Sequence, residues 1–532
     1  MKKGVYIILA IASAIMVCGC NADIEKTTAE TNKKVDKIIA RAQETAPADY
    51  DVAVSPLKDS KEPEQTTVIS GEITLADAVK LALANNRAYR AERDKLYLSA
   101  LSLIDARHLY EPNVLLGGTS AYDKSDSGTS STNDQEETET YGSAAMQQLL
   151  ASGASVATDV GLGWVDVLSG DYSSGFYSVF NATITQPLLR GAGREIALES
   201  LTQAQRNTVY EVRSFNRYSD LFVAQVASEY FRILADSEIL ANTKTYNESL
   251  KEMYAQLEKR AEAGLLPRHE LEQANQDIID SQAKLNKAQM EYRNRLDDFK
   301  LLLAVSPESE ITLSSNELEA VRKALKNPVE MDMNQAVEMA LWQRADLINS
   351  SDSITDAERK VHVAEDALRA ELNIAGLAGG RNLDGKTASD NYRLSLELDL
   401  PIDRTTEKTR WQASLLALVQ AQRDYAALED LAAAEARKGV RDMELSRERY
   451  EIELRGCELA RKRSNSTAML LQYNRANTRD LLDAKEDFID AQDNANDAMS
   501  NYISATLRLL ADTGSLKLNT AGTPNLALSN SN

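Results

Sequence analysis

The sequence predicts a mainly α-helical protein of long antiparallel helical hairpins, internally duplicated and joined to a small transmembrane β-barrel. Three observations carry this expectation. Proline is missing from three long stretches rich in helix formers. Segments flanking them alternate apolar and polar residues with a period of two. Two parts of the chain repeat each other in order and spacing.

The helices come first. Proline lacks an amide proton and clashes with the preceding turn, so it marks where helix interiors cannot be. The gaps after Pro187, Pro267 and Pro401 are rich in Ala, Leu, Glu, Arg and Gln, all good helix formers. A helix of about 65 residues is about 100 Å long, and such a rod needs neighbours packed along its side. With 6% aromatic and 27% charged residues, and a mean hydropathy of -0.38, the chain suits thin apolar seams better than large globular cores.

The duplication comes next. Ile73-Thr74-Leu75-Ala76-Asp77-Ala78-Val79 lines up with Met331-Asp332-Met333-Asn334-Gln335-Ala336-Val337, and Glu270-Leu271-Glu272-Gln273-Ala274 with Asp480-Leu481-Leu482-Asp483-Ala484. Downstream of the later copy, Leu481, Ala484, Phe488, Ala491, Ala495 and Ala498 recur at alternating steps of three and four, a heptad seam. Its small side chains allow close approach but bury little area each, so such a helix needs several neighbours. The chain is expected to divide into a signal peptide (1–19), an extended tether (20–70), a first repeat (71–315), a second repeat (316–514) and a tail (515–532). Each repeat reads as helix, strands and a long helical hairpin.

The strands are marked by alternation. Tyr392, Leu394, Leu396, Leu398 and Leu400 alternate with Arg393, Ser395, Glu397 and Asp399 before Pro401. One face is apolar and the other charged, as in a barrel wall between lipid and water. Phe176 to Thr185 alternates less cleanly before Pro187, and Val114–Ser120, after Pro112, and Ile374–Gly380 are the expected partners. Polar loops are expected at 123–140 and 381–390; residues 141–168 read either as an extra hairpin or as an elaborated loop. About four membrane strands cannot close a barrel, which needs at least about eight. Lipid tolerates no open sheet edge, so strands in a membrane require oligomerisation.

At the N-terminus, Lys2 and Lys3 precede an apolar run from Val5 to Val17 and then small residues and Cys20. This is the plan of a secretory signal, too short for a spanning helix. Val17-Cys18-Gly19-Cys20 resembles a bacterial lipobox, which makes Cys20 the expected site of a covalent lipid. After cleavage only Cys457 remains, so no internal disulfide is expected.

Several chemistries are argued against. A formal net charge of -21 disfavours nucleic acid. His108, His269 and His362 are scattered, without metal-ligand spacing. Gly191-Ala192-Gly193 lacks the further features of a phosphate loop and is expected to form a tight strand-to-helix turn. No catalytic constellation is expected, and no cofactor beyond the lipid.

Over roughly residues 71–514 the chain resembles the TolC-like outer-membrane efflux proteins. The resemblance rests on the two Leu/Ala-rich segments and on Gln186-Pro187-Leu188-Leu189-Arg190-Gly191-Ala192-Gly193-Arg194. It rests also on the tip turns Ala263–Leu271 and Tyr473–Ala484. It implies a homotrimer whose three copies share a twelve-stranded barrel continuous with a helical periplasmic tunnel. It also implies a periplasmic adaptor and an inner-membrane transporter as partners, and a lipid-anchored place in the outer membrane of a Gram-negative bacterium. Rings of acid at the closed end of the tunnel would fall on Asp480, Asp483 and Glu270. The latch arginine falls on Ala476, with Arg475 beside it; the latch threonine falls on His269 and the tip glycine on Asn474. The rival expectation is a lipid-anchored periplasmic coiled-coil spacer or scaffold with no pore, and a lipid-facing sheet would discriminate between the two.

Overall fold

The computed structural model describes residues 24–45, 68–125, 135–169, 174–264, 267–325, 331–383, 386–473, 475–517 and 524. Helix α1 (Ile24–Thr45) comes first. The first half then runs β1 (Ser70–Ile73), α2 (Leu75–Asn85), α3 (Arg87–His108), β2 (Asn113–Ser125), β3 (Gln135–Leu149), β4 (Ser155–Ser169), β5 (Gly175–Pro187), α4 (Arg194–Ala197), α5 (Glu199–Glu262) and α6 (Arg268–Leu303). The second half runs β6 (Glu310–Leu313), α7 (Asn316–Ala324), α8 (Met333–Gln343), α9 (Ala345–Asp366), β7 (Glu371–Leu383), β8 (Lys386–Asp399), α10 (Thr405–Gln472) and α11 (Thr478–Asp512).

Corresponding elements of the two halves have similar lengths: 11 residues in α2 and in α8, 22 in α3 and in α9, and 36 and 35 in α6 and α11. Helices α2 and α8 start alike as well. Thr74 with Asp77, and Asp332 with Gln335, each close a reciprocal capping box that satisfies otherwise orphaned amides. At 64 and 68 residues, α5 and α10 are rods of about 100 Å.

The main core lies where α2, α3, α6 and α11 meet α5. Leu96, Tyr230, Phe231, Phe299, Tyr502 and Ile503 are fully buried there. A separate apolar cluster closes the far end of the hairpins, formed by Tyr246, Leu250 and Leu257 of α5, Ala274 of α6, and Leu481 and Leu482 of α11. The two long rods differ. Helix α5 buries large residues along much of its length, whereas the buried apolar residues of α10 are Ala432, Ala436, Val440 and Met443. Leu445, Ile452, Leu459 and Met469 of α10 remain more than half exposed.

The strands correct the expectation of four per chain. One sheet holds six strands in the order β2-β3-β4-β5-β7-β8, antiparallel throughout. The span expected as a polar loop, 123–140, is strand up to Ser125 and again from Gln135. Its Glu-Thr-Glu-Thr run hid the alternation, because neither face there is strongly apolar. The 381–390 loop is shorter than expected for the same reason, since β7 runs to Leu383 and β8 begins at Lys386. Segments 141–168 therefore belong to a strand hairpin. A small parallel pair, β1 with β6, ties the two halves together and was not expected.

The extended tether is also corrected over part of its length. Residues Ile24–Thr45 are helical, with Val35, Ile38, Ile39 and Ala42 buried against α3 and α5. Their spacing of one to four residues places them on one face. The Tyr97 hydroxyl donates to Asn32 Oδ1 at 2.6 Å, which anchors the helix. The signal peptide, Cys20 and residues 46–67 lie outside the described residues, as does the 515–532 tail apart from 515–517 and 524.

Candidate conduit site

The sheet has two chemically distinct faces. Residues paired in register point to the same side, so one face carries Leu116 of β2, Val160 of β4, Phe180 of β5 and, further along, Leu394 and Leu396 of β8. Their exposure ranges from 47% at Val160 and Phe180 to 80% at Leu116. Soluble monomers do not leave so continuous an apolar face open to water. The opposite face carries Glu139, Asp159, Asn181, Arg381, Arg393 and Glu397. That is the division of a wall between lipid and an aqueous lumen. No helix among the described residues is long and apolar enough to cross a membrane.

On the polar face, Tyr141 of β3 and Tyr177 of β5 flank Gly163 of β4 in register. Their rings stack with centroids 6.1 Å apart and planes at 10°. A Cβ on Gly163 would overlap the Tyr177 ring, and one on Gly161 the Tyr141 phenol. The bare strand thus lets two aromatic side chains lie flat across it. The Tyr177 hydroxyl donates to Glu139, the Tyr141 hydroxyl donates to Asp159 at 3.2 Å, and the Arg381 guanidinium sits 4.8 Å from the Tyr177 centroid.

The three expected junction prolines sit at strand–helix boundaries. Pro112 immediately precedes β2, Pro187 ends β5, and Pro401 lies between β8 and α10. The elbow after Pro187 is held by backbone donors: Leu188 N to Leu372 O at 2.7 Å and Gly191 N to the buried Asp366 Oδ2 at 2.6 Å. Gly191 and Gly193 have φ of 78° and 103°, the turn expected of them.

Next to this elbow, α5 and α9 are joined by a charged ladder that the sequence did not reveal. Asp356 is 4% exposed and accepts from Tyr210 at 2.8 Å, Gln203 at 3.0 Å and Arg359 at 2.7 Å, with Arg206 also paired to it. Burial opposes its ionisation, but these donors outweigh burial and hold the carboxyl below the usual range. Arg359 also reaches Glu199 at 2.9 Å, and Arg213 reaches Asp352 at 2.6 Å. Apart from Asp356 and Arg359, one turn apart on α9, these partners are about 140–160 residues apart, so no local pattern signals them.

At the helical tip, Asp480 is exposed and accepts from the Asn477 amide at 3.0 Å, completing a capping box at the start of α11. Asp483 is exposed, 3.8 Å from Arg479 one turn earlier. Glu270 is half-buried in the first turn of α6, and Arg475 is exposed, its amide donating to Leu470 O at 2.8 Å. Asn474 lies outside the described residues.

The tip gathers more acid than was singled out. Burial pushes the Asp277 carboxyl up, and Glu486, Asp280 and Asp483 push it the same way. Arg479 opposes the shift, and Lys284 of α6 reaches Glu486 at 2.7 Å and Asp490 at 3.3 Å on α11. Higher on α11, burial pushes Asp493 up to about 7; the Asn242 side chain opposes the shift, and Asp490 and Asp497 add to it. These acids stand beside the seam positions, so their spacing was readable, but which of them face one another was not.

Long rods, a two-faced sheet and prolines at the joints together make a fold shared with solved outer-membrane channels. No family model matches the chain, and no curated protein matches it. Solved structures do. The CmeC outer membrane channel of Campylobacter jejuni aligns over 86% of this chain and 90% of its own, at 16% identity and a TM-score of 0.60. CusC, described in terms of transmembrane channel formation, aligns over 88% and 99% at 15% identity and 0.60. The outer membrane protein VceC of Vibrio cholerae aligns over 83% and 96% at 13% identity and 0.59. At such identities the likeness is one of fold.

Proposed function

We propose that the chain is the outer-membrane exit duct of a tripartite efflux or type I secretion system, a passive conduit without chemistry of its own. In this reading three copies assemble, each held at the membrane by its strands and by a lipid on Cys20. A periplasmic adaptor and an inner-membrane transporter supply the connection and the energy. The observation that carries the reading is the two-faced sheet: six strands with an apolar face and two unpaired edges are too few to close alone. A periplasmic spacer has no use for such a face. The exposed apolar residues of α10 support the same reading, because neighbouring copies would cover them.

The acids of the tip, Asp480, Asp483 and Glu270, are the proposed periplasmic constriction, with Arg475 beside them. Threefold repetition would concentrate negative potential there and favour cations. Cell fractionation with palmitate labelling tests the duct. An outer-membrane protein that runs as a heat-sensitive trimer and loses its label in Cys20→Ser agrees with the reading; an unlabelled monomer in the soluble periplasm contradicts it.

A further inference from the structure

The β3–β4 hairpin bears on how wide the duct is. It is no appendage, because β3 and β4 are each paired on both sides over most of their length. β2 pairs with β3 from Asn113↔Gln147 to Ser125↔Gln135, and β4 pairs with β5 from Ser155↔Thr185 to Val165↔Gly175. Between them, β3 and β4 pair from Leu149↔Ser155 to Glu136↔Ser169.

The hairpin also continues the division of faces. Val160, Leu162 and Trp164 of β4 stand on the apolar face, 47%, 54% and 44% exposed. Glu139 and Asp159 stand on the polar face, tied to the two stacked tyrosines. A loop folded over the mouth in water would have no reason to keep an apolar side in register with its neighbours.

Its turn is fitted to the strand–helix elbow. Gly153, at φ 88°, packs so close that a Cβ there would press on the Gly191 carbonyl and the Pro187 ring. The Gly193 amide donates to Ser152 O at 3.3 Å, and the Ser152 hydroxyl donates to Gln186 Oε1 at 3.1 Å. From the other side, Gln148 Nε2 donates to Tyr110 O at 3.2 Å.

The edges decide how copies join. The sheet begins with β2 and ends with β8, and an even run of antiparallel strands leaves these two edges running in opposite directions. β8 of one copy can therefore pair antiparallel with β2 of the next, and the wall stays antiparallel all round, as lipid requires.

We infer that all six strands of each copy form the barrel wall, so that three copies build an eighteen-stranded barrel, three times six. The inference rests on the trimeric reading above. Barrel diameter grows roughly linearly with strand number, so the bore is about one and a half times that of a twelve-stranded wall, in the size range of open aqueous pores. The structure thus assigns the hairpin a role in cargo width: the membrane exit is sized for bulky or polymeric solutes. The Tyr141–Tyr177 stack, with Glu139, Asp159 and Arg381, lines the widened part.

The test uses the full-length protein in lipid nanodiscs. Particle images viewed down the axis should show a trimer with eighteen wall strands. Brominated acyl chains should quench a fluorescence component that is present in the wild type and missing from Trp164→Phe, since Trp164 faces lipid. A trimer with twelve wall strands, or a Trp164 component untouched by brominated lipid, would overturn the inference and leave the duct reading standing. A particle that is never trimeric would overturn the duct reading itself.

Discussion

The Tyr177 ring lies directly over the backbone of Gly163 on the neighbouring strand, and its hydroxyl donates to Glu139 two residues before Tyr141 on the strand beyond. The contact joins three successive strands through one side chain, and it exists only because Gly163 has no Cβ. Replacing Gly163 by Val should push the ring into the lumen and break its bond to Glu139. Overpacking of this kind costs about 1–3 kcal/mol. The temperature at which the oligomer dissociates on gels should fall for Gly163→Val and remain nearly unchanged for Gly142→Ala. At Gly142 an added Cβ would meet nothing closer than 4.0 Å.

Asp356 is the hub of the ladder between α5 and α9. Removing it would leave Arg206 and Arg359 without their buried partner. Breaking a buried pair from one side costs about 3–5 kcal/mol. Thermal unfolding followed by helix circular dichroism should show a large loss for Asp356→Ala, and a smaller one for Glu435→Ala, whose carboxyl is 40% exposed at its bond to Arg344. Because the folded carboxyl of Asp356 titrates below its unfolded value, its contribution is complete above about pH 4. It is lost only as the pH falls further, through the folded pKa.

Asp493 should behave in the opposite sense. Its folded carboxyl titrates near 7, above the unfolded value, so the native state holds a proton that the unfolded chain releases. Its effect on stability is absent below about pH 4 and becomes increasingly unfavourable up to about 7. Asp493→Asn should therefore raise the melting temperature at pH 8 and change it little at pH 4. Equal melting shifts at both pH values would exclude this carboxyl as the source.

Asp480 is both a helix cap and a proposed constriction residue, and these roles can be separated. Asp480→Asn keeps an acceptor for the Asn477 amide while removing the charge. With Asp483→Asn, it should weaken block of the open pore by divalent cations and leave helicity intact. Unchanged block would remove both residues from the constriction.

Much of the molecule was legible in the amino-acid order. The rods followed from where Pro187, Pro267 and Pro401 fall, since proline acts on the backbone directly. β8 was plain because Tyr392 to Leu398 alternates without a break. The β3 strand was obscure because Glu137 to Thr140 places acid on one face and threonine on the other, so hydrophobicity carried no period. Helix α1 was missed because its apolar residues sit in a lysine-rich, otherwise polar stretch. The seam of α11 was found through Leu481, Ala484, Ala495 and Ala498, but a second buried stripe through Met499, Ile503 and Leu507 was not, because it depends on a second neighbouring helix. The ladder around Asp356 lay beyond reach for a similar reason. Its partners on α5 meet Asp356 only after the two halves have folded together.

The central claim is that this chain conducts. Single-channel recording on the full-length protein, purified from membranes and inserted in planar lipid bilayers, tests it most directly. The account predicts discrete, cation-favouring conductance steps that appear with the trimeric fraction and are absent from the heat-dissociated protein. A trimer that inserts into the bilayer and passes no current under any applied voltage would contradict it.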